Sequence, residues 1–288
     1  MLPLAGIVII FVMVFGGYIL AGGKMSIIVG ALPFEMMMIG GAALGAFLIS
    51  NGAAVLKGAA AGLKQVVSGP KWNRDDYRDL LCLMFVLTRT MKSKGMIAIE
   101  PHIEKPHDSD IFKRYPKILG DHFALDFICD MLRMVSMSMD DPHQVSEAME
   151  RQLKKHHGEA LRPGDSLQSM ADGLPALGIV AAVLGVIKTM ASIDQPPAVL
   201  GKLIGGALVG TFLGVFLSYG LVGPFASRYR QIVDEDAQFY AVIRDAIVSH
   251  LNGNAPQVSV EVARGNVPSP IQPSFGDLED ALNQATAS

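Results

Sequence analysis

The histidines of this chain are the first residues whose chemistry suggests a site. His143, His156 and His157 form the nearest group, but His156 and His157 are adjacent and would point about 100° apart on a helix. Two histidines four residues apart share a helix face and can hold zinc, and this pair lacks that spacing. We interpret all three as solvated surface residues. The sequence also contains no zinc-protease motif, phosphate-binding loop or Ser–His–acid group, so it offers no positive case for an enzyme or a bound cofactor.

Hydroxyl groups inside otherwise apolar stretches are the second set of candidates. Residues 174–191 and 199–223 are almost free of charge and rich in Gly and Ala, which suits close contact between helices in lipid. A hydroxyl in such a helix usually bonds back to its own backbone, but it can also line an ion path. The hydroxyls concerned belong to Thr189, Thr211, Ser218 and Tyr219.

The acidic residues nearest to the apolar stretches are expected at the ends of the spans. Carboxylates inside a bilayer mark proton or ion relays, but Glu35, Asp172 and Asp194 all fall at predicted span ends. The sequence therefore predicts the wall of an ion path without a group that carries the proton. If the chain conducts protons, a partner protein should supply the titratable carboxylate.

A mixed-charge segment between residues 89 and 100 is the third candidate. Arg89, Lys92 and Lys94 precede Gly95, and Glu100 follows it. By composition alone this segment is typical of a solvated helix end followed by a loop.

These candidates are set in a strongly apolar chain. Of its 288 residues, 50% are hydrophobic and the mean hydropathy is +0.36, which is typical of several membrane spans rather than of a soluble domain. The net charge of −3 gives no support for nucleic-acid binding. Cys82 and Cys129 lie in the polar middle region, where two cysteines predict reduced cytoplasmic thiols rather than a disulfide framework or a metal site.

Four apolar runs predict an all-α membrane protein with four transmembrane helices and a large helical cytoplasmic insertion between spans 2 and 3. The first run lacks the basic start of a signal peptide, because the first lysine is Lys24, and we expect it to be retained. The predicted spans are residues 4–22, 33–56, 174–191 and 199–223. The predicted segments are a hairpin of spans 1 and 2 (1–56), the insertion (57–171), a hairpin of spans 3 and 4 lining the ion path (172–224), and a cytoplasmic helix with a tail (225–288).

Basic residues near the span ends predict the orientation. Lysine and arginine favour the cytoplasmic side, and they follow spans 2 and 4, whereas the two short links carry only isolated lysines. The insertion and both termini are therefore expected on the cytoplasmic side of the membrane. The residues that set this bias are Lys57, Lys64, Lys71 and Arg74 after span 2, and Arg228 and Arg230 after span 4, against Lys24, Lys188 and Lys202 at the links.

The insertion is predicted to be helical. Residues 74–94 have acids in the first turn and end before Gly95, as a helix should. Residues 111–139 mix apolar and charged side chains with helical spacing and predict one or two amphipathic helices, with a bend at Pro116 and Gly120.

Three further elements are predicted in the polar regions. A helix opens at Pro142 and ends near His157, before a turn at residues 162–165 that leads back to the membrane. The helix after span 4 is expected to continue to Leu251. In the tail, residues 258–262 would suit a short strand and residues 276–283 a short helix.

Short motifs along the chain carry a family resemblance. The chain resembles the flagellar motor stator A subunits, the MotA/PomA group, and most of all the proton-type branch; the wider relatives are TolQ and ExbB. The matching motifs keep their order from residue 15 to the tail. They are Phe15-Gly-Gly-Tyr18, Gly95 to Glu100, Ile111 to Pro116, Leu125 to Ile128, Leu174 to Ala182, Val209 to Gly214, Leu251 to Pro256 and Pro273 to Phe275.

The resemblance implies a place in a bacterial inner membrane, an assembly and a set of roles. Five A chains would surround a pair of B chains, each B chain giving a membrane helix with an ion-binding aspartate and a periplasmic domain that binds peptidoglycan. Pro175 and Pro224 match the family's two functional prolines and would act as hinges for torque. Thr211 matches a threonine near the ion path, to which we add Ser218. Ala182 stands where the sodium-type branch has a threonine, so the coupling ion is expected to be the proton, with sodium the less favoured ion and no other cofactor.

The resemblance also implies a contact with the rotor protein FliG. The family uses a basic and an acidic residue of the insertion for this contact. Glu100 matches the acidic residue, and Lys92 matches a position where near relatives have arginine. Lysine keeps the charge but loses the planar fork, so Arg89 is retained as a neighbouring candidate.

Two alternatives remain on sequence grounds. One is a TolQ/ExbB-type proton channel subunit that energises outer-membrane processes. Such proteins have three spans, however, and this chain has four predicted ones. The other is a self-sufficient small-molecule transporter, which would have broken spans with a midplane site and inverted repeats.

Overall fold

The computed structural model describes residues 2–287, and every regular element within that range is helical. Contacts divide the chain into two compact units. We call Met1–Gly69 with Ala160–Ile232 the membrane unit, and Pro70–Glu159 with Val233–Ser288 the polar unit. Residues 233–287 thus pack with the insertion, whereas the sequence analysis had treated the tail as a segment of its own.

Four helices among the described residues are long and apolar enough to cross a membrane, in agreement with the predicted fold class. Helix α1 is Leu2–Leu20, α2 is Met25–Ser50, α9 is Pro142–Met190 and α10 is Pro197–Val215. A π-helical stretch, Phe216–Val222, joins α10 to α11, Gly223–Leu251. The break between α9 and α10 falls around Asp194, as expected.

Helix α2 begins eight residues earlier than predicted. Pro33 lies inside it instead of opening it. Residues 25–32 are apolar, and membrane helices tolerate an internal proline, so the helix extends through it. The helix ends at Ser50, where the Asn51 amide donates to the Phe47 carbonyl at 2.8 Å. A separate helix α3, Ala53–Ser68, follows.

The polar unit is built around α4, which spans Arg74–Lys94 as predicted. Asn73 and Asp76 form a reciprocal capping box at its start. Gly95 ends it with φ +80°, a conformation that favours glycine. The region 111–139 contains three helices rather than one or two. With the preceding short helix, these are α5 (Glu100–Glu104), α6 (Asp110–Lys113), α7 (Pro116–Leu119) and α8 (His122–Ser136).

The turn predicted at residues 162–165 is wrong, because α9 runs through it without a break. Pro163 and Gly164 are held in the helix by packing. A Cβ on Gly58 would lie 2.6 Å from Pro163 Cγ, and one on Gly164 would lie 2.8 Å from the Tyr229 ring. The Tyr229 hydroxyl also donates to the Ala160 carbonyl at 3.3 Å. These tertiary contacts offset the helix-breaking tendency of the Pro–Gly pair.

The tail is helical too. The helix after span 4 reaches Leu251 as predicted, but residues 258–262 belong to α12, Pro256–Arg264, and the predicted strand is wrong. Val260 and Ala263 are buried while Val258 and Val262 are about half exposed, so the apolar face follows helical spacing. The last helix, α13, is Phe275–Ala287, longer than the predicted 276–283.

An aromatic cluster forms the core of the polar unit between α4, α8, α9 and α11. Trp72 stacks on Phe239 with ring centroids 3.7 Å apart. His156 stacks on Phe123 at 3.5 Å and is half-buried, so our interpretation of His156 as a solvated residue is wrong. Burial lowers the pKa of His156 below its usual range. Two ion pairs lie at the edge of the cluster, Lys71–Asp121 and Lys117–Asp76.

Candidate functional site

Helices α9 and α10 touch through small residues along a seam. A Cβ on Gly178 would lie 2.8 Å from the Gly210 carbonyl oxygen, and one on Gly185 would lie 2.6 Å from Ala207 Cβ. Such distances leave no room for side chains, so the backbones approach closely, as expected for Gly- and Ala-rich membrane helices.

Ala182 and Thr211 both adjoin one close contact of the seam. Gly210 precedes Thr211, and a Cβ on Gly210 would lie 3.2 Å from both Ala181 Cβ and the Ala182 backbone nitrogen. Ala182 and Thr211 are both partly exposed in the single chain. Two of the three residues predicted to line the ion path therefore lie beside one helix contact.

The other hydroxyls have different surroundings. Thr189 donates to the Gly185 carbonyl at 2.9 Å, the bond to its own helix that the sequence had suggested for such groups. Ser218 is 1% exposed, whereas Tyr219 is 72% exposed. In the single chain, the structure does not bring Ser218 to the surface on which Thr211 is accessible.

The predicted hinge residues lie at two irregular places. Pro175 is inside α9, next to Leu174, whose carbonyl oxygen would lie 2.6 Å from a Cβ on Gly214. Pro224 is in the first turn of α11, directly after the π-helical stretch. A proline has no N–H and its ring presses on the carbonyl four residues earlier, which explains why the helix widens before Pro224. The π-helical stretch was not predicted, although Pro224 was its signal.

The basic candidates line one groove of the polar unit. Arg89 and Lys92 are exposed on the last two turns of α4 and contribute to a cavity of about 590 Å³ beside α12 and α13. Glu261 and Glu279 line the same cavity, and the sequence analysis did not single them out. Glu100 is exposed at the start of α5 and is not among the groove's lining residues. The structure therefore groups Arg89 with Lys92 but not with Glu100.

Glu35 is the residue that sequence reasoning misjudged most. It was expected at the entrance of span 2, but it is the eleventh residue of α2 and only 5% exposed. Its Oε2 atom has no hydrogen-bond partner. The signal was available, because the apolar residues before Pro33 extend the span towards its true start.

The other two acidic candidates, unlike Glu35, are not buried. Asp172 and Asp194 are exposed, and Asp172 accepts a hydrogen bond from Gln168 at 2.8 Å. Within residues 2–287, no group of three or more His, Cys, Asp or Glu side chains could hold a metal.

Cys82 and Cys129 are buried free thiols, and burial raises the pKa of Cys82 to about 11 and of Cys129 to about 12.

Two family models match this chain. The model of the motility protein A N-terminal region matches residues 4–95, and that of the MotA/TolQ/ExbB proton channel family matches residues 121–241. Together they cover the α1–α3 region, α4, and the α8–α11 region that contains the seam.

Similar proteins and structures agree with these matches. Motility protein A of Salmonella typhimurium is 40% identical over 97% of this chain and 94% of its own length, and that of Escherichia coli is 39% identical over the same shares. The fold is similar to a structure of C. jejuni MotAB, with TM-score 0.73, 19% identity and coverage of 94% of this chain and 98% of the other. A Bacillus subtilis flagellar MotAB stator complex gives TM-score 0.72 and 22% identity over 93% and 96%. The chain therefore belongs to the motility protein A family of flagellar stator subunits.

Proposed function

We propose that this flagellar stator subunit and a B-type subunit together form a channel that conducts protons, and that the proton flow drives rotor torque. The α9–α10 seam carries the proposal, because Ala182 and Thr211 both adjoin the close contact that Gly210 makes with α9, in a wall of small residues. The B-type subunit would supply a membrane aspartate and a peptidoglycan-binding domain. The names of the solved relatives, which are MotAB complexes, support such a partner.

Several copies of this chain would surround the B-type subunits, and we favour five. The exposed apolar surface supports self-association within a membrane. Helix α1 has no buried residue, and Ile179, Val183 and Ile187 on α9 are each more than half exposed. Lipid and neighbouring chains would cover these faces.

The proton is the proposed coupling ion, and sodium is the less favoured one. A sodium ion that leaves water needs oxygen atoms to replace its hydration shell. Ala182 offers only a methyl group there, and Thr211 offers one hydroxyl on the facing helix. A proton can pass along water and carboxyl groups without such a cage.

Torque would pass through the prolines to the polar unit. Pro175 lies at the tight end of the seam, and Pro224 follows the widened π-helical stretch. Both prolines remove a helix hydrogen bond and permit bending at that point. Protonation of the partner's aspartates would change the contacts around the seam, and the bend would carry this change along α9 and α11.

The rotor protein FliG is the proposed partner of the polar unit. Lys92, Arg89 and Glu100 are exposed and charged, which suits a contact that must form and break during rotation. This role requires the polar unit and both termini in the cytoplasm, and the chain in the inner membrane. Lysine and arginine residues after spans 2 and 4 support that orientation.

Two threonines of the spans, Thr211 and Thr189, provide a matched test and control. Thr211→Val and Pro175→Ala, each expressed with the B-type subunit in a deletion strain, should lower swimming speed and torque while the membrane level of the complex is retained. Thr189→Val is the control, because the Thr189 hydroxyl already bonds to its own helix. Wild-type torque in both test variants would remove the assigned roles. Swimming that follows external sodium instead of pH would overturn the choice of ion.

A further inference from the structure

Glu35 is an ionisable group in the membrane unit that the mechanism above does not use. It lies ten residues after Met25, roughly 15 Å along α2 at 1.5 Å per residue, which is about half the thickness of a bilayer core. The residue is 95% buried and its Oε2 atom has no hydrogen-bond partner. An ionised carboxylate so placed would lose its water without compensation, and proteins avoid this by keeping the group protonated.

The carboxyl group reaches the α9–α10 seam. A Cβ on Gly210 would lie only 2.6 Å from Glu35 Oε2, so glycine at position 210 leaves the space that the acid occupies. The same Cβ would lie 3.2 Å from the backbone nitrogen of Ala182. Glu35 therefore lies beside the wall that we assign to the ion path, with Thr211 one residue further along α10.

A cavity connects Glu35 with two lysines. It has a volume of about 560 Å³, lies between α2, α9 and α10, and is mainly apolar. The titratable groups among its lining residues are Glu35 on α2, Lys188 on α9 and Lys202 on α10. Lys188 and Lys202 are exposed and flank the α9–α10 link, which faces outward in the proposed orientation. The volume is enough for several waters, each needing about 30 Å³.

We infer that Glu35 is a proton-exchange site contributed by this chain, loaded from the outer side through the cavity and unloaded at the α9–α10 seam. This inference rests on the proposed function. The loaded group is a neutral carboxylic acid. It gives its proton to water or to the partner's carboxylate at the seam and becomes a carboxylate. A proton from outer water then restores the acid, so one proton enters for each one released. Lys188 and Lys202 are the other titratable groups that line the path of the proton.

Two readouts test the site in the complex with the B-type subunit. Glu35→Gln keeps the shape but cannot exchange a proton, and Glu35→Asp keeps the chemistry. In cells, we expect Glu35→Gln to lower motor torque several-fold and to flatten its dependence on external pH, and Glu35→Asp to restore torque with a shifted pH profile. In the purified complex, the infrared carbonyl band of a protonated carboxylic acid should decrease in Glu35→Gln. Asp194→Asn, at an exposed acid in the link, should change neither readout.

A second variant covers the case in which Glu35→Gln does not assemble. Gly210→Ala retains the acid but displaces it, because the added methyl group would lie 2.6 Å from Oε2. It should lower torque, and combining it with Glu35→Asp, whose shorter side chain leaves room for the added methyl group, should restore part of the torque. Unchanged torque, pH profile and infrared band in Glu35→Gln would overturn the inference alone. A wild-type complex that generates no torque would overturn the proposed function, and the infrared band would still report whether Glu35 is protonated.

Discussion

Gly214 and Gly178 face each other across the α9–α10 seam so closely that a Cβ on Gly214 would lie 2.8 Å from the Cα of Gly178. The same Cβ would lie 2.6 Å from the Leu174 carbonyl oxygen. Backbone atoms cannot move aside as a flexible side chain can, so this contact requires glycine on both helices.

Gly214→Ala should therefore separate α9 from α10 and reduce motility. Overpacking of this kind costs about 1–3 kcal/mol, enough to disturb a seam that must also bend. The measurement is torque per motor at a matched membrane level of the complex. Gly201→Ala is the control, since a Cβ on Gly201 on the same helix meets no atom within 4 Å. Equal torque in the two variants would contradict the tight seam.

Charge reversal should separate the roles of the exposed residues of the polar unit. A solvent-exposed ion pair contributes only about 0.2–1 kcal/mol, so Lys92→Glu or Glu100→Lys alone should lower torque moderately. Lys92→Glu combined with Arg89→Glu should abolish it, because both basic residues that line the groove are then reversed in charge. The measurement is torque at a matched membrane level of the complex. FliG variants with reversed charges should then restore the torque. Arg151→Glu, at an exposed arginine of α9 paired with Glu147, should have no effect on torque. Normal torque in the Lys92–Arg89 double variant would exclude this groove as the rotor contact.

The stack of Trp72 on Phe239 should hold the polar unit together. Phe239 is fully buried, and truncation of a buried phenylalanine to alanine costs about 3–5 kcal/mol. Phe239→Ala should therefore lower the midpoint of thermal unfolding. Trp72 is the single tryptophan of the chain, so its fluorescence reports this unit directly. Ile97→Ala, at a side chain that is 80% exposed, should leave the midpoint unchanged; a similar shift in both variants would argue against the stack as the stabilising contact.

Acidification should destabilise the polar unit. Burial lowers the pKa of His156 and of His250 below the ordinary value of 6.5, and the positive charge of Lys92 adds to the effect on His250. The folded state then binds fewer protons than the unfolded state, so stability is fully present above about pH 6.5 and is lost as the pH falls below it. Asp121, Glu159 and His157 are the charged or titratable neighbours of His156.

The measurement is the Trp72 unfolding midpoint between about pH 7.5 and pH 5.5. His156→Phe keeps a ring against Phe123 and removes the titration, so it should reduce the slope. His143→Phe, at an exposed histidine, should leave the slope as in the wild type. A midpoint independent of pH in the wild-type chain would contradict the buried neutral form.

Some elements follow from local sequence. Helix α4 was predicted with its observed ends, because the acids of its first turn and Gly95 after its last turn are local signals that need no distant partner. The break at Asp194 and the end of α11 at Leu251 were predicted for the same reason. The family was also recognisable from short motifs, because each depends on neighbouring residues.

Other elements depend on partners far away in the chain. Pro163 and Gly164 predicted a turn, but Gly58 and Tyr229 supply packing that keeps them helical, and nothing near residue 163 indicates those partners. Val258 and Val262 suited a strand, but the chain there is helical and packs on α4. Local preference differs by about 1 kcal/mol or less per residue, which tertiary packing readily exceeds.

The sequence by itself determined that the chain has four apolar spans, a charged helical insertion, and small residues where spans 3 and 4 must meet. Composition and local motifs are sufficient for these, because they depend on transfer into lipid and on helix ends. Only the tertiary structure decided that Glu35 lies buried against Gly210, beside Ala182, and that residues 233–288 share a unit with the insertion. Whether a side chain is buried depends on which helices meet and at what distance. For Glu35 that distance is set by Gly210, which lies 175 positions further along the chain.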